Sequence, residues 1–432
     1  MDIIASILIF AIFLLIIFAY SREKVDFLSI SLLGTIACIV IANISSPTTF
    51  DVLINYIEFK ALLIMLCLEI ITLIARENNV LEWISIKMLR LSKGNKHIFL
   101  IIICITSTLL AAMISDVVVA IILAPIIIRI CKYLKIKAGT YLLALSITIN
   151  IGSIITPFSS GSNIIIAQRY ELDSIYFIIH YWTFSFLLMF ITIVLIDFII
   201  LRNEPKIDPE NRELILELLD PSMVIIDKKL FRITGVTFLV TILLFIFISE
   251  IWIVALVSAM FLVLINNRNQ ERPLKEIFKE VNWEVYFFFM SLFVIVGCMQ
   301  IVGLFEIFQF AGIQNFNVFI VSVIILVAVS LISGILANAP ATLIFLPIVD
   351  SLIADYNFSS VPIIFALLIA VNLGGNILPQ GSMCDVFTLK VAQDNKVENL
   401  NFRRLLINGA LFALIHILFS ILYLLILSLL FR

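Results

Sequence analysis

Charge, glycine and proline are all scarce in this sequence. Only 13% of its 432 residues are charged, 62% are hydrophobic, and there are 14 glycines and 11 prolines. Soluble domains have about 25% charged and about 45–50% apolar residues, so this composition excludes an ordinary soluble domain. The apolar residues form runs that approach or exceed the roughly 20 residues needed to cross a bilayer as a helix. We therefore predict an all-α polytopic membrane protein.

The sequence also lacks the motifs that carry enzyme chemistry. Its six cysteines are scattered in or beside apolar runs, with no Cys-x-x-Cys pair and no Cys/His cluster. This pattern argues against a metal cluster or a disulfide framework. No nucleotide-binding loop and no nucleophile–base constellation is present. We expect no enzymatic activity, no cofactor and no nucleic-acid partner.

An internal repeat with a constant offset of 222 residues is present instead. Asp116 in AMISDVVVAIILAP corresponds to Asn338 in GILANAPATLIFLP, and Asn163 corresponds to Asp385. The segments NIGSIITP (150–157) and NLGGNILP (372–379) match at the same offset. Polar and helix-breaking residues repeated in this way in a membrane protein are typical of secondary transporters built from two repeats.

Two apolar segments, 98–130 and 317–350, fit no simple count of crossings. Each has a polar centre followed nine residues later by proline. The arm from Asp116 to Arg129 rises only about 20 Å at 1.5 Å per residue, short of a hydrocarbon core of roughly 30 Å. We predict re-entrant hairpins with tips near Asp116 and Asn338. Two tightly turned full crossings are the alternative, and they leave the topology unchanged.

Two other segments, 138–168 and 361–389, are predicted to be helices broken near the bilayer midplane. The breaks, Asn150–Asn163 and Asn372–Asp385, combine Asn, Gly, Pro and hydroxyl residues. With the remaining spans, residues 1–201 and 233–432 each form a repeat of five crossings plus one hairpin, joined by a linker at 202–232. Because five is odd, the second repeat must be inverted relative to the first.

The distribution of Lys and Arg predicts the orientation. If the N-terminus lies outside the cell, the segments left in the cytoplasm hold 25 of the 28 Lys and Arg residues, as the positive-inside rule requires. We predict a plasma-membrane protein with both termini outside and the linker 202–232 in the cytoplasm.

The hairpin tips and helix breaks supply the candidate binding groups. Broken helices occur in membranes only where they are buried or line a cavity, and a carboxylate at the bilayer centre costs about 2.5–3.5 kcal/mol on insertion scales. Retaining such carboxylates favours bound protons or cations over a purely structural pairing. We predict ion-coupling positions at Asp116, Asp385, Asn163 and Asn338, with candidate sodium sites at Asp116/Asn163 and at Asn338/Asp385. The predicted substrate-binding residues are Ser115, Asn150, Gly152, Ser162, Asn372, Gly374, Gly381 and Ser382.

Other intramembrane polar residues give weaker signals. Glu69 and Asp197 are single carboxylates in otherwise apolar helices, and Asp197, near a helix end, can reach the cytoplasmic interface. His180 and His416 have no counterpart at the 222-residue offset, and we interpret both as packing residues.

The repeated motifs resemble those of the ion transporter superfamily, which includes arsenite permeases, the melanosomal P protein, sodium/proton antiporters, citrate transporters and divalent anion/sodium symporters. The resemblance covers nearly the whole chain and is carried by SDVVVAIILAP, ANAPATLIFLP and the two breaks. The dicarboxylate symporters have Ser-Asn-Thr at both tips, where this chain has Ser115-Asp116-Val117 and Ala337-Asn338-Ala339. The tips look more like those of the arsenite permease and P protein branch.

This resemblance implies a homodimer in which a hairpin-bearing domain slides against a scaffold like an elevator. We predict an ion-coupled secondary active transporter of a small inorganic or organic anion or oxyacid, coupled to protons or sodium. A sodium/proton antiporter is the alternative. A dicarboxylate or citrate symporter is less favoured, and a channel or a membrane enzyme is the least favoured class.

Overall fold

The computed structural model describes residues 2–20, 25–92, 95–203, 220–270, 274–306 and 313–431, which form helices and connecting segments without strands. Most of the predicted linker, residues 204–219, lies outside the described residues. The first ten helices are α1 Ile3–Tyr20, α2 Phe27–Ser45, α3 Phe50–Ile54, α4 Phe59–Glu77, α5 Val80–Arg90, α6 Lys96–Ala111, α7 Asp116–Tyr133, α8 Gly139–Gly152, α9 Gly161–Arg169 and α10 Ser174–Ile200.

The second part of the chain contains nine further described helices. They are α11 Lys228–Phe247, α12 Ile251–Gln270, α13 Leu274–Glu280, α14 Trp283–Ile301, α15 Val318–Leu336, α16 Asn338–Ala354, α17 Ser360–Gly374, α18 Met383–Asp394 and α19 Phe402–Leu430.

Seven of the described helices are long and apolar enough to cross a membrane, namely α1, α2, α10, α11, α14, α15 and α19. Five shorter apolar helices accompany them: α6, α8, α16, α17 and residues Ile251–Asn266 of α12. The chain is therefore an all-α polytopic membrane protein, as predicted. The count of ten crossings and the inverted relation of the two halves stay predictions.

Side-chain caps define where several of these helices begin. The carboxylate of Asp26 accepts a hydrogen bond from the Ser29 amide at 3.1 Å, at the start of α2. Asn95 caps α6 and Asn317 caps α15, each accepting from a backbone N–H of the first turn at 2.9 Å. Such caps satisfy N–H groups that have no partner inside the helix.

Helices end at the two positions where the sequence predicts hairpin tips. Helix α7 begins at Asp116 after a short turn that follows α6, and α16 begins at Asn338, separated from α15 by the single residue Ala337. Helices also end at the two predicted breaks, since α8 and α9 are separated by 153–160, and α17 and α18 by 375–382.

Two glycines allow the helix before each break to pack closely on a hairpin arm. A Cβ atom on Gly152 would lie 2.4 Å from the carbonyl oxygen of Thr108 in α6. A Cβ atom on Gly374 would lie 2.6 Å from the carbonyl oxygen of Ser330 in α15. Both glycines and both of their partners are related by the offset of 222 residues.

The centre of the molecule consists of α8 and α17. Every residue of α8 is buried, and so is every residue of α17 from Pro362 onward, as expected for helices that are apolar on all sides. Helix α6 packs on α8, and α15 packs on α17. Each helix that follows a break packs on a hairpin arm of the other half of the chain. Helix α9 of the first half packs on α16, and α18 of the second half packs on α7.

Candidate functional site

Both hairpin tips and both helix breaks line one cavity of about 490 Å³. Helix α4, from Met65 to Arg76, and the start of α14 with the residues just before it, from Glu280 to Phe289, form the other wall. The polar residues that the tips and breaks contribute are Ser115, Asp116, Ser159, Ser160, Ser162 and Asn338, together with Gly161 and Gly381. We name this space the inner cavity.

At the first tip, Asp116 is partly exposed to the inner cavity. Its Oδ1 atom accepts hydrogen bonds from the Val117 backbone N–H at 2.8 Å and from the Ser115 hydroxyl at 3.2 Å. Because Asp116 is the first residue of α7, its carboxylate also lies at the positive end of the helix dipole. The tip therefore places a carboxyl group at the cavity surface.

At the second tip, Asn338 connects the hairpin to the second break. In the orientation that satisfies its neighbours, its amide nitrogen donates to the carbonyl oxygens of Val371 at 2.7 Å and Gly381 at 3.2 Å. The first tip makes a similar connection, since the Thr156 hydroxyl donates to the Ala112 carbonyl at 2.7 Å. Each tip thus contacts the break of its own half of the chain.

The two breaks are also hydrogen-bonded to each other through buried side chains. The Asn372 amide nitrogen donates to the Asn163 side-chain oxygen at 2.8 Å, and Asn150 donates in the same way to Asn376 at 2.7 Å. The Ser160 hydroxyl donates to Asn372 at 3.4 Å, and its 222-residue equivalent, Ser382, donates to Asn150 at 3.2 Å. These contacts join the breaks into one unit.

Asn163 has its polar atoms occupied within this unit. Its amide nitrogen donates to the carbonyl oxygens of Ser153 at 2.6 Å and Thr156 at 2.9 Å, and its oxygen accepts from Asn372. The sequence pairs Asn163 with Asp116 in a sodium site, but the described hydrogen bonds of Asn163 go to the breaks and those of Asp116 go to its own tip.

Asp385 is buried and bonded to residues other than its predicted partner. Only 2% of its surface is exposed, and its carboxylate accepts from the Ser146 hydroxyl of α8 and from the Cys384 thiol. The sequence pairs Asp385 with Asn338, whereas the structure places Asp385 against the first half of the chain. The cause is the packing of α18 on α7 and α8, which brings Asp385 against the first half of the chain.

The remaining predicted substrate-binding residues divide into two groups. Ser115, Ser162 and Gly381 line the inner cavity. Asn150, Asn372 and Ser382 bond the breaks together, and the two glycines at 152 and 374 allow the close helix packing described above.

Glu69 and Tyr286 line the inner cavity but are not among the predicted binding residues. In the middle of α4, Glu69 accepts a hydrogen bond from the Tyr286 hydroxyl at 2.5 Å and from the Asn282 backbone N–H at 3.1 Å. For Glu69 the sequence gives a weak signal, a single carboxylate in an otherwise apolar helix. Tyr286 gave no signal, because aromatic residues are frequent throughout this chain.

The charged residues that line the inner cavity are mostly acidic. Among the described lining residues, Glu69, Asp116 and Glu280 are carboxylates and Arg76 is the one Lys or Arg. This lining favours cations or uncharged molecules over multiply charged anions.

A second space of about 290 Å³, the outer cavity, lies at the opposite end of α4. Its lining includes Glu58, immediately before α4, whereas Arg76 near the end of α4 lines the inner cavity. In the outer cavity, the Arg169 guanidinium contacts Asp350 at 2.9 Å and Glu58 at 3.4 Å.

A thin apolar layer separates the two cavities. Along α14, Phe289 lines the inner cavity and Phe293 lines the outer one, a single helical turn of roughly 6 Å. A Cβ atom on Gly161 would lie 2.7 Å from the Met65 side chain, so the first break packs closely against α4.

Apolar helices around a buried polar cavity define an integral membrane protein, and its family follows from comparison with known proteins. Residues 12–370 match the family model described as "Citrate transporter". The chain belongs to this family, which lies within the ion transporter superfamily indicated by its motifs, and it is a transporter.

Curated relatives agree with this assignment. The chain is 25% identical over 400 residues to a 46 kDa membrane protein of Mycobacterium leprae, covering 90% of this chain and 91% of the relative. It is 26% identical over 404 residues to an uncharacterised transporter of Mycobacterium tuberculosis, covering 91% of each. It is also 26% identical over 170 residues to the human P protein, covering 39% of this chain and 20% of that protein.

Proposed function

We propose that this chain is an ion-coupled secondary active transporter of a small anion or oxyacid, similar to arsenite permeases. The observation that supports it is the inner cavity, in which two hairpin tips and two helix breaks converge beside Asp116, a carboxylate that forms no ion pair with a described Lys, Arg or His. Broken helices at membrane depth are tolerated where they are buried or line such a cavity. Proton or sodium binding at Asp116 and at the buried Asp385 would supply the coupling.

The charge of the inner cavity favours an uncharged oxyacid over a polyanion. Three carboxylates and one guanidinium line the described part of the cavity, so a citrate trianion would meet net repulsion on entry. A protonated oxyacid, such as arsenous acid, carries hydroxyl donors that suit carboxylate, serine and asparagine oxygens. The family name alone therefore does not make citrate the preferred substrate.

We propose elevator-type alternating access for this transporter. In this mechanism the hairpins and broken helices move as one body against α4 and α14. The hydrogen bonds between the breaks support a single moving body, and the contacts shared by equivalent residues at 152 and 374 support the inverted repeat. If the Lys and Arg bias sets the orientation, the inner cavity opens to the cytoplasm and both termini lie outside.

Flux measurements in proteoliposomes test this function. Uptake of arsenite, sulfate, phosphate and citrate is followed under imposed proton or sodium gradients, with Asp116→Asn and Asp385→Asn as test variants. Asp197→Asn is the control, because that carboxylate lies at a helix end, 36% exposed and bonded to His97. We expect the two test variants to lose ion-dependent uptake and the control to keep it. Unchanged ion dependence in both test variants would contradict the assignment of coupling.

Sodium/proton antiport is the second candidate, and the acidic lining of the inner cavity favours it. It uses the same carboxylates and requires no anion. It predicts a sodium-driven change of internal pH in vesicles that contain no oxyacid, and absence of that change excludes it.

A further inference from the structure

Glu69 faces the inner cavity from the wall opposite the hairpin tips. It lies in the middle of α4, between Leu68 and Thr72 on the cavity surface. The wall formed by α4 and α14 belongs to neither hairpin and neither break. Glu69 is thus separate from the ion positions that the repeat predicts, all of which lie on tips or breaks.

Neutral groups alone hold the Glu69 carboxylate. One oxygen accepts from the Tyr286 hydroxyl at 2.5 Å, and the other accepts from the Asn282 backbone N–H at 3.1 Å. Tyr286 is itself buried, with 6% of its surface exposed. Hydrogen bonds donated to both oxygens fix the orientation of the carboxylate.

No described Lys, Arg or His forms an ion pair with Glu69. Arg76 lies seven residues further along α4, roughly 10 Å along the helix axis. The other titratable groups on the cavity wall are Asp116, Glu280, Tyr20 and Tyr286, none of which is a cation. We expect α4 to cross the membrane, and an intramembrane carboxylate without a partner cation is by default a functional position.

We propose that Glu69, oriented by Tyr286, is a further cation-binding position of the transport cavity, which takes a sodium ion or a proton on the scaffold wall. In this role Glu69 determines cation affinity together with Asp116 across the cavity. The proposal rests on the transport function above, but cation binding can be measured without any transported substrate.

The test uses the full-length purified protein in detergent and follows its thermal unfolding. Sodium is titrated against potassium at constant ionic strength, and pH is varied separately without sodium, so that the two cations are distinguished. For the wild type we expect stabilisation by one of the two cations, because a ligand that binds the native state raises the melting temperature. For Glu69→Gln we expect about a tenfold higher concentration of that cation at half-maximal stabilisation, the change produced by about 1.4 kcal/mol.

Glu284→Gln is the matched control. It removes the same charge from the first turn of α14, close to Tyr286, but Glu284 is exposed and does not line the inner cavity. We expect this variant to bind the cation like the wild type. Tyr286→Phe should weaken cation affinity in the same direction as Glu69→Gln, and it provides the test if the Glu69 variant does not fold.

Three results would overturn the proposal. They are a wild type that neither cation stabilises, a Glu69 variant with wild-type affinity, and a Glu284 variant that loses as much affinity as the Glu69 variant. Failure of the oxyacid flux assay alone would leave this binding test intact and would concern the transported substrate only.

Discussion

The Asn372 side chain donates a hydrogen bond to the side-chain oxygen of Asn163 at 2.8 Å, and it thereby connects two helix breaks that lie 209 residues apart in the chain. Both asparagines are fully buried. The connection makes the breaks a structural unit before any ligand is considered.

Replacing Asn372 with Leu should destabilise the protein by about 1–3 kcal/mol, because the Asn163 oxygen then loses its amide donor inside the protein. The melting temperature of the detergent-solubilised protein measures the effect. Asn395→Ala is the control, since Asn395 is exposed at the end of α18, and surface changes usually stay within about 0.5 kcal/mol. Equal melting temperatures for the two variants would show that the connection between the breaks contributes little.

Glycine-to-alanine changes test the close packing before each break. Gly152→Ala should cost about 1–3 kcal/mol, because the new methyl group meets the Thr108 carbonyl and forces the backbone to shift. Gly235→Ala is the matched change in α11, where a Cβ atom would meet only Val80 at 3.8 Å, and it should be neutral or stabilising. Thermal unfolding of both variants decides the matter, and a Gly152 variant as stable as wild type would contradict the packing.

Ala337, the single residue between α15 and α16, has φ 70° and ψ 161°. This backbone region is essentially restricted to glycine and costs other residues about 1–3 kcal/mol. We expect Ala337→Gly to raise the melting temperature by relieving this strain. Ala339→Gly is the control within the first turn of α16, where glycine should destabilise by about 0.5–1 kcal/mol. Destabilisation by both changes would indicate that the tip is not strained.

The ion pairs of Arg169 should hold the outer cavity closed. Glu58 precedes α4, whereas Arg169 and Asp350 belong to helices of the proposed moving body. Exposed ion pairs contribute about 0–1 kcal/mol, so Glu58→Gln should shift the equilibrium toward outer opening by about two- to fivefold.

Labelling of a cysteine introduced at Gln300, on the outer cavity wall, measures this shift. The six native cysteines are all buried, so a membrane-impermeant maleimide should give little background. We expect faster labelling with Glu58→Gln than with Lys60→Gln, which changes a neighbouring exposed charge outside the ion-pair cluster. Identical rates in the two backgrounds would argue against a closing role.

Helix boundaries near the site could be predicted from the sequence. Asp116 and Asn338 begin the helices that follow the two tips, and the breaks fall where Asn, Gly and Pro interrupt apolar runs. These features depend on residues close together in the chain, such as a cap or a helix-breaking proline, and the repeat marks them twice.

The contacts between the halves could not be predicted in the same way. A constant offset shows which residues are equivalent, but not that α18 packs on α7 and brings Asp385 against Ser146. Glu69 gave only a weak signal in the sequence, because its hydrogen-bond partners Tyr286 and Asn282 are more than 200 residues away along the chain.

The thin layer between the inner and outer cavities has an electrical consequence. If each cavity opens to the solution on its own side of the membrane, the membrane voltage falls mainly across the turn between Phe289, in the inner cavity, and Phe293, in the outer one. One elementary charge moved through that voltage changes in energy by about 2.3 kcal/mol per 100 mV. Under that condition, a transport cycle that carries net charge from one cavity to the other is driven almost fully by the membrane potential over a path of only a few ångströms.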